Sequence, residues 1–304
     1  MTGNSPVCPL CEKRETGLHL KLPDRFKTVG ELYSIYACNN CSFVFLHPLY
    51  SEAEAAQYYA GEDYDPFMEV EGARTFVQKI YARVKPWALN WKAGLITKYA
   101  PKPGMLLDVG AGTGAFLHTM TARGWDAEGV EKDPHAARFG RDKLGLKVFN
   151  GDLADFQDPG SLFDIITFWH SLEHIHRLHE NLNRASGLLK TAGHLFIALP
   201  NFKSLDAIIY RERWAAWDAP RHLWHFSPEV LDSLVVKFGF TLQRIIPMPL
   251  DPFYNSLLSE GTINAGGKFL RYAVRLPMIA AASYLAGSVN PRLGSSVVYC
   301  FKKQ

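Results

Sequence analysis

Apolar residues recur along this chain at two periods, and the changes of period mark out its elements. Near the start, the alternating runs LHLKL (18–22) and LYSIYA (32–37) read as strands of a small ribbon. FVFL (43–46) reads as a further strand, SEAEAAQYY as a short helix and GEDYDP (61–66) as an acidic aromatic loop. Between about Gly72 and Tyr99 the positions Phe76, Ile80, Val84, Trp87, Leu95 and Ile96 keep helical spacing, and Pro86 predicts a break that makes two helices. The pattern then changes. The short apolar runs MLLDV, WDAEGVE, KVFN, DIITF and HLFIALP alternate with helical stretches in five strand-to-helix steps, the last helix closing in a turn at Gly193. That order predicts a doubly wound sheet. FTLQRIIPM and SSVVYCFKK bring the expected strands to seven. The expected organisation is a ribbon module over 1–50, a linker with lead-in helices over 51–98, and an α/β domain over 99–304 with an insertion at 249–294.

Composition narrows the class. With 304 residues, 47% hydrophobic and 21% charged, the chain can bury a real core and lacks the signature of disorder. Its 33 basic and 30 acidic residues leave a net charge of +3, so no global field points to nucleic acid as a partner. The opening MTGNSPVCPLCEKRE has no apolar run of the signal type, which sets the expectation of a cytoplasmic protein. Of the five cysteines, Cys300 stands in the apolar run SSVVYCF and reads as a buried strand residue. The others form Cys8-Pro-Leu-Cys11 and Cys38-Asn-Asn-Cys41. Two residues between cysteines let both thiolates turn toward one ion, and four sulfurs close a tetrahedron with no position open to water. A structural zinc on Cys8, Cys11, Cys38 and Cys41 is the expectation, with catalytic zinc, iron or a redox pair as alternatives. A module this small has too little core to fold unaided, so the metal would supply much of its stability.

The stretch MLLDVGAGTGAF (105–116) carries the most chemistry. A strand runs into Gly110, Ala111, Gly112 and Gly114 and then into a helix that starts near Phe116, an arrangement that brings a ligand close to backbone and helix N-terminus. The spacing is Gly-x-Gly-x-Gly with Asp108 just before it, whereas a dinucleotide fingerprint has Gly-x-Gly-x-x-Gly. Asp108 would attract an ammonium and repel a pyrophosphate, which favours S-adenosylmethionine (SAM) over a nicotinamide cofactor. Glu131, followed by Lys132, ends the next strand, where a carboxylate can take two ribose hydroxyls. Asp152 and Leu153 follow the third strand and suit an adenine, with a turn or capping role for Asp152 as the alternative. Trp169 and His170 arrive at the carboxyl end of DIITF. Together DVGAGTG, Glu131, GDL, WHSLEHI and LLKTAGHLFIALPN resemble the motifs of class I SAM-dependent methyltransferases, in the branch that includes ubiquinone-pathway O-methyltransferases. The resemblance spans about residues 95–240 and implies an α/β, Rossmann-like seven-stranded sheet, with methyl transfer as the activity.

The segment WAAWDAPRHLWHFSPEV is dense in tryptophan and histidine, and Ser227 with Pro228 opens a helix after it. His222 and His225 are candidate general bases there, each with a bracing role as the alternative. The segment resembles one in zinc-containing sugar C-methyltransferases, which implies His222 at the acceptor. Glu173 and His174 resemble an acceptor-side pair of the ubiquinone-pathway relatives, and can also be a first-turn acid and a buried histidine. The acceptor implied is a small molecule, a sugar or other cyclic metabolite. A non-catalytic SAM-binding ribbon protein and an RNA methyltransferase remain as other readings. Within the insertion, Lys268, Arg271 and Arg275 fall on one helical face and 276–291 carries no charge until Arg292. This region (265–291) reads as a lid, a dimer helix or a peripheral membrane contact.

Overall fold

The computed structural model describes residues 5–26, 31–59, 76–157, 160, 162–263 and 267–304. The loop expected at 61–66 lies outside them. Alternation makes β1 (Thr16–Pro23) and β2 (Leu32–Cys38) an antiparallel pair that turns Leu22 and Ile35 inward. β3 (Val44–Leu46) pairs antiparallel with β2, Ile35 opposite Leu46. α1 (Glu52–Tyr59) opens with Glu52 and Glu54 at the positive end of its dipole. α2 (Phe76–Tyr99) is one continuous helix where two were expected. The carbonyl that Pro86 deprives of a partner belongs to Ala82, and both residues are exposed, so water can satisfy it.

Strand and helix then alternate through β4 (Met105–Val109), α3 (Ala115–Thr121), β5 (Asp126–Glu131), α4 (Pro134–Leu144), β6 (Lys147–Asn150), β7 (Phe163–Trp169), α5 (Leu178–Leu188) and β8 (Leu189–Pro200). α4 takes its limits from local chemistry: Asp133 Oδ1 accepts the Ala136 N–H at 2.7 Å, Pro134 opens the first turn and Gly145 closes it at φ 64°. The turn expected at Gly193 is absent, because β8 starts directly after α5 and runs through it. A Cβ on Gly193 would stand 2.9 Å from the Lys190 carbonyl oxygen, so this glycine serves close approach of backbone. The chain continues through α6 (Leu205–Tyr210), β9 (Trp224–His225), α7 (Pro228–Val235), β10 (Phe240–Pro247), α8 (Asp251–Gly261), a single turn α9 (Lys268–Leu270), α10 (Leu276–Val289) and β11 (Ser296–Lys303). Ser227 caps α7 as its sequence foretells.

The strands form two sheets. The seven-stranded, mixed one has the order β10-β11-β8-β7-β4-β5-β6, with β4 parallel to both β5 and β7. The winding reverses between β4 and β7, and in such sheets ligands collect beyond the carboxyl ends of those strands. The other sheet, β1-β2-β3-β9, takes its last strand from far downstream: Val44 lies opposite His225 and Phe45 opposite Trp224.

Two compact units result, cutting across the sequential organisation. One comprises 1–58, 198–237 and 244–299, and the other 59–197, 238–243 and 300–304. The second has its core in the fully buried Leu106, Leu107, Ile165, Ile166 and Phe168. In the first, fully buried Asp206 accepts hydrogen bonds from Ser283 Oγ (2.6 Å), Ser295 Oγ (2.6 Å) and Trp214 Nε1 (2.8 Å), pinning α6 to α10. Asp206→Ala would orphan three buried donors and is expected to destabilise this protein by about 3–5 kcal/mol. Urea unfolding should show a lower midpoint at unchanged slope. A loss below about 1 kcal/mol would mean that the donors find other partners.

Candidate functional site

The three glycines after β4 do different work. Gly110, Gly112 and Gly114 all have positive φ, at 77°, 56° and 87°. A Cβ on Gly110 would stand 2.4 Å from the Ser171 Cβ, and one on Gly114 would stand 2.5 Å from Leu146 Cδ1, so both permit tight packing. At Gly112 nothing lies within 4 Å, which leaves the backbone open to a ligand. The Gly110 and Ala111 amides donate to the Val130 carbonyl and fix the loop over β5. Just before it, buried Asp108 accepts a 2.6 Å bond from Thr167 Oγ1. Burial pushes its carboxyl up to about 6, opposed by that bond and by the Lys92 ammonium.

Glu131 closes β5 with both oxygens engaged, Oε2 accepting the Gly112 N–H at 2.7 Å and Oε1 the Asp133 N–H at 2.8 Å. Burial raises its carboxyl as well, against those amide bonds. A carboxylate has about four acceptor directions, so two remain for a ligand. Lys132 is exposed, and its carbonyl accepts from Asn150 Nδ2. Asp152 caps the turn that Leu153 begins: its Oδ1 accepts from the Ala154 N–H (2.9 Å) and Asn181 Nδ2 (2.7 Å), with Arg177 Nη2 at 3.5 Å. The capping role expected as an alternative is thus realised, and Leu153 is buried beside it.

β7 delivers the rest. Trp169 is buried edge-on to Phe116 (centroids 5.4 Å), with Lys92 Nζ 4.8 Å from its ring centroid. Its Nε1 is buried with no hydrogen-bond partner among the described residues, an orphaned donor at the edge of the site. His170 takes φ 55°, a left-handed backbone that histidine rarely adopts, and sets Nδ1 3.5 Å from Glu173 Oε1. His174 Nδ1 lies 3.1 Å from the Tyr59 hydroxyl. A buried and a half-buried carboxylate beside an open glycine suit a cationic amino acid and repel a phosphate, so these residues fit SAM.

His222 and His225 belong to the other unit. His222 Nδ1 lies 2.8 Å from the Ala216 carbonyl, which can only accept, so Nδ1 carries the proton. Nε2 is 4.0 Å from Asp218 Oδ2. His225 is buried in β9 against the Trp217 ring (4.9 Å), and burial, with His222 and His19 nearby, holds it neutral. In the same unit the cysteine sulfurs converge, Cys8 and Cys41 at 3.6 Å and Cys11 and Cys38 at 3.5 Å, all within 4.8 Å of one another. Cys300 is a buried strand residue as read from sequence, its thiol pushed up to about 12 by burial. Sequence reasoning missed Lys92, Thr167, Asn181 and Tyr59, while Ser171 stands in the WHSLEHI stretch expected at the sheet's edge. Thr167 alone left a signal, as the one polar residue of an otherwise apolar run, ITF.

The sequence matches the methyltransferase-domain family over residues 59–245, more than half of the chain. No curated protein matches it. Among solved structures 1035 chains match, which ties the likeness to a widely used fold and not to one acceptor. Magnesium protoporphyrin IX methyltransferase from Synechocystis PCC 6803 with bound SAH aligns at TM-score 0.56 and 12% identity, over 84% of this chain and 100% of that one. The same enzyme with bound SAM aligns at 0.52 and 11%, over 85% and 99%. At such identities the likeness is one of fold. The family match takes in the glycine loop, Asp108, Glu131 and the β7 edge, and the chain therefore belongs to the methyltransferase-domain family, built on the class I SAM-dependent fold.

Proposed function

We propose that this protein transfers the methyl group of SAM to an oxygen or carbon of a small molecule, a sugar or other cyclic metabolite. The observation that carries the reading is the carboxylate pair, buried Asp108 and half-buried Glu131, beside the open backbone at Gly112. When bound, SAM supplies an electrophilic methyl and a sulfonium leaving group. Asp108 would hold its ammonium, the loop from Gly110 to Gly114 its amino-acid end, and Glu131 both ribose hydroxyls. Asp152 and Leu153 would receive the adenine, with Ala111, Phe116, Lys132, Trp169 and His170 around the rest. On the acceptor side the chain has to align the acceptor and remove its proton. His174, anchored by Tyr59, and His222, whose Nδ1 is taken up by the Ala216 carbonyl so that Nε2 is the ring atom left to exchange a proton, are the groups for that role. His225 braces the segment.

The donor site makes the first expectation here. Glu131→Ala should weaken SAM by at least ~1.5 kcal/mol in calorimetry, since two charge-assisted bonds are lost. With Asp108 at about 6 in the free protein, its ionised form is lost on acidification. Affinity should therefore hold above that value and fall toward about tenfold per pH unit below it. Affinity flat down to pH ~5 would place the ammonium elsewhere.

Four sulfurs each about 2.3 Å from one ion sit about 3.8 Å apart in a tetrahedron. The cysteine separations come close to that, and zinc is the ion proposed. Purified protein should hold about one zinc per chain, and its removal should melt the ribbon sheet with the β9 tryptophan in it. Less than ~0.5 zinc with four freely titrating thiols would count against this.

Substitution separates the histidines. His222→Ala or His174→Ala, whichever removes the base, should slow methylation by about 10²–10⁴-fold at unchanged SAM affinity. If both variants keep most of the rate, the acceptor needs no base from this chain.

A further inference from the structure

The insertion between β10 and β11 is apolar on the wrong side for a helix that ends at its own core. α10 turns only Ile279, Ala280, Ser283 and Gly287 inward. Its larger residues face out: Met278 is 66% exposed, Leu285 61% and Val289 88%. The turn before it exposes Phe269 at 84%, and α6, packed against α10, exposes Ile208 at 59%. Lone exposed apolar residues are ordinary on a protein surface, but a group of long side chains this exposed on neighbouring helices marks an interaction site.

Charge decides what covers it. Residues 261–304 contain no acid and six lysines and arginines, of which Arg292 is paired with Glu229 at 2.8 Å and Lys303 donates to the Ser186 and Leu189 carbonyls, away from α10. The basic helical face expected from Lys268, Arg271 and Arg275 is not kept. A π-helical turn over Arg271–Arg275 shifts the register, so Arg271 is buried with Nη1 on the Glu260 carbonyl at 2.9 Å, while Arg275 stays part-exposed, 3.4 Å from Glu260 Oε1. The side chain of Lys268 lies outside the described residues. Arg211 and Arg213, exposed at the end of α6, extend the cationic rim with only Glu212 between them. A second copy docked face to face would set these cations against one another. Anionic headgroups would neutralise them while the apolar side chains reach the acyl boundary. No described helix is long and apolar enough to cross a membrane, so the mode is surface docking.

We propose that α9, α10 and the end of α6 form a docking surface for anionic lipid, with Phe269, Met278, Leu285 and Val289 at the acyl boundary and Arg211, Arg213 and Arg275 at the phosphates. The test is flotation of the full chain with phosphatidylcholine vesicles, alone or with about 30% phosphatidylglycerol. The protein should float with the anionic vesicles and release as salt rises. Phe269→Ser/Met278→Ser/Val289→Ser should lower its partition at least about tenfold, and Arg211→Gln/Arg213→Gln should weaken binding to the anionic vesicles alone. If the triple change lowers the melting temperature, Phe269→Ser alone carries the test. Failure of the unaltered protein to float with either vesicle would overturn the proposal, as would a triple variant that floats like it. Light scattering that finds a dimer, made monomeric by the triple change, would overturn it too and assign the face to a second copy.

Discussion

The ribbon sheet closes only because β9 reaches back to β3. Val44 pairs with His225 and Phe45 with Trp224, and the Leu46 amide donates to the Leu223 carbonyl at 2.9 Å. Around this short pairing the Phe43 ring lies 5.8 Å from that of Trp224 and 5.4 Å from that of Phe226, adding to the small apolar core of Leu22, Ile35 and Phe45. The dependence runs both ways. The segment that holds His222 is fixed by a sheet whose other end is the four-cysteine cluster, and by the buried Arg221, which Asp24 Oδ1 and Asp218 Oδ1 each meet at 2.7 Å. Those two arginines beside it, Arg25 and Arg221, hold the Asp218 carboxyl far below the usual range despite its burial. Buried charge of this kind tolerates no missing partner, since removing one leaves the others uncompensated. The cysteine module is thus part of what positions the histidines, and not an appendage in front of an enzyme.

At the glycine loop the governing quantity is the sign of charge in a low-dielectric pocket of backbone. Asp108 and Glu131 are both raised by burial, so each resists ionisation in the free protein, and a cationic ligand relieves both. Amides from Gly112 and Asp133 keep Glu131 aimed before any ligand arrives, which lowers the ordering cost of binding. The contact of Gly110 with Ser171 joins the ends of β4 and β7, so the left-handed His170 is held by its neighbours.

Much of this was legible in sequence because the relevant physics is local. Strand runs, the Gly-x-Gly-x-Gly turn, the Ser227 cap and the paired cysteines all state their geometry within a few residues. What was illegible is long-range or depends on exposure. Pro86 reads as a break, and only the solvent beside Ala82 shows why the helix survives it. Gly193 reads as a turn, and its purpose emerges only from the Asp164 backbone on the adjacent strand. Nothing in LWHF announces that it will pair with FVFL, because two residues of strand carry no usable period. Asp152 reads from sequence as an adenine contact or a cap, and only the fold shows Asn181 and Arg177 approaching it from α5 and its N-terminus.

The insertion shows the same limit from the other side. Its uncharged run tells nothing of which face packs, because period analysis needs polar residues to mark the solvent side. The inward face is set by two constraints of another kind. Ser283 must reach Asp206, and Gly287 must let Gly294 approach, a Cβ there standing 2.9 Å from its Cα. Both demand small residues at those points, so apart from Ile279 the helix carries its bulk on the outside. A fold that needed nothing beyond its own core would place polar residues there, as α4 does with Arg138 and Asp142. The apolar surface of α10 is therefore not required by its packing against α6 and α8, which is what leaves it available as the docking surface proposed above.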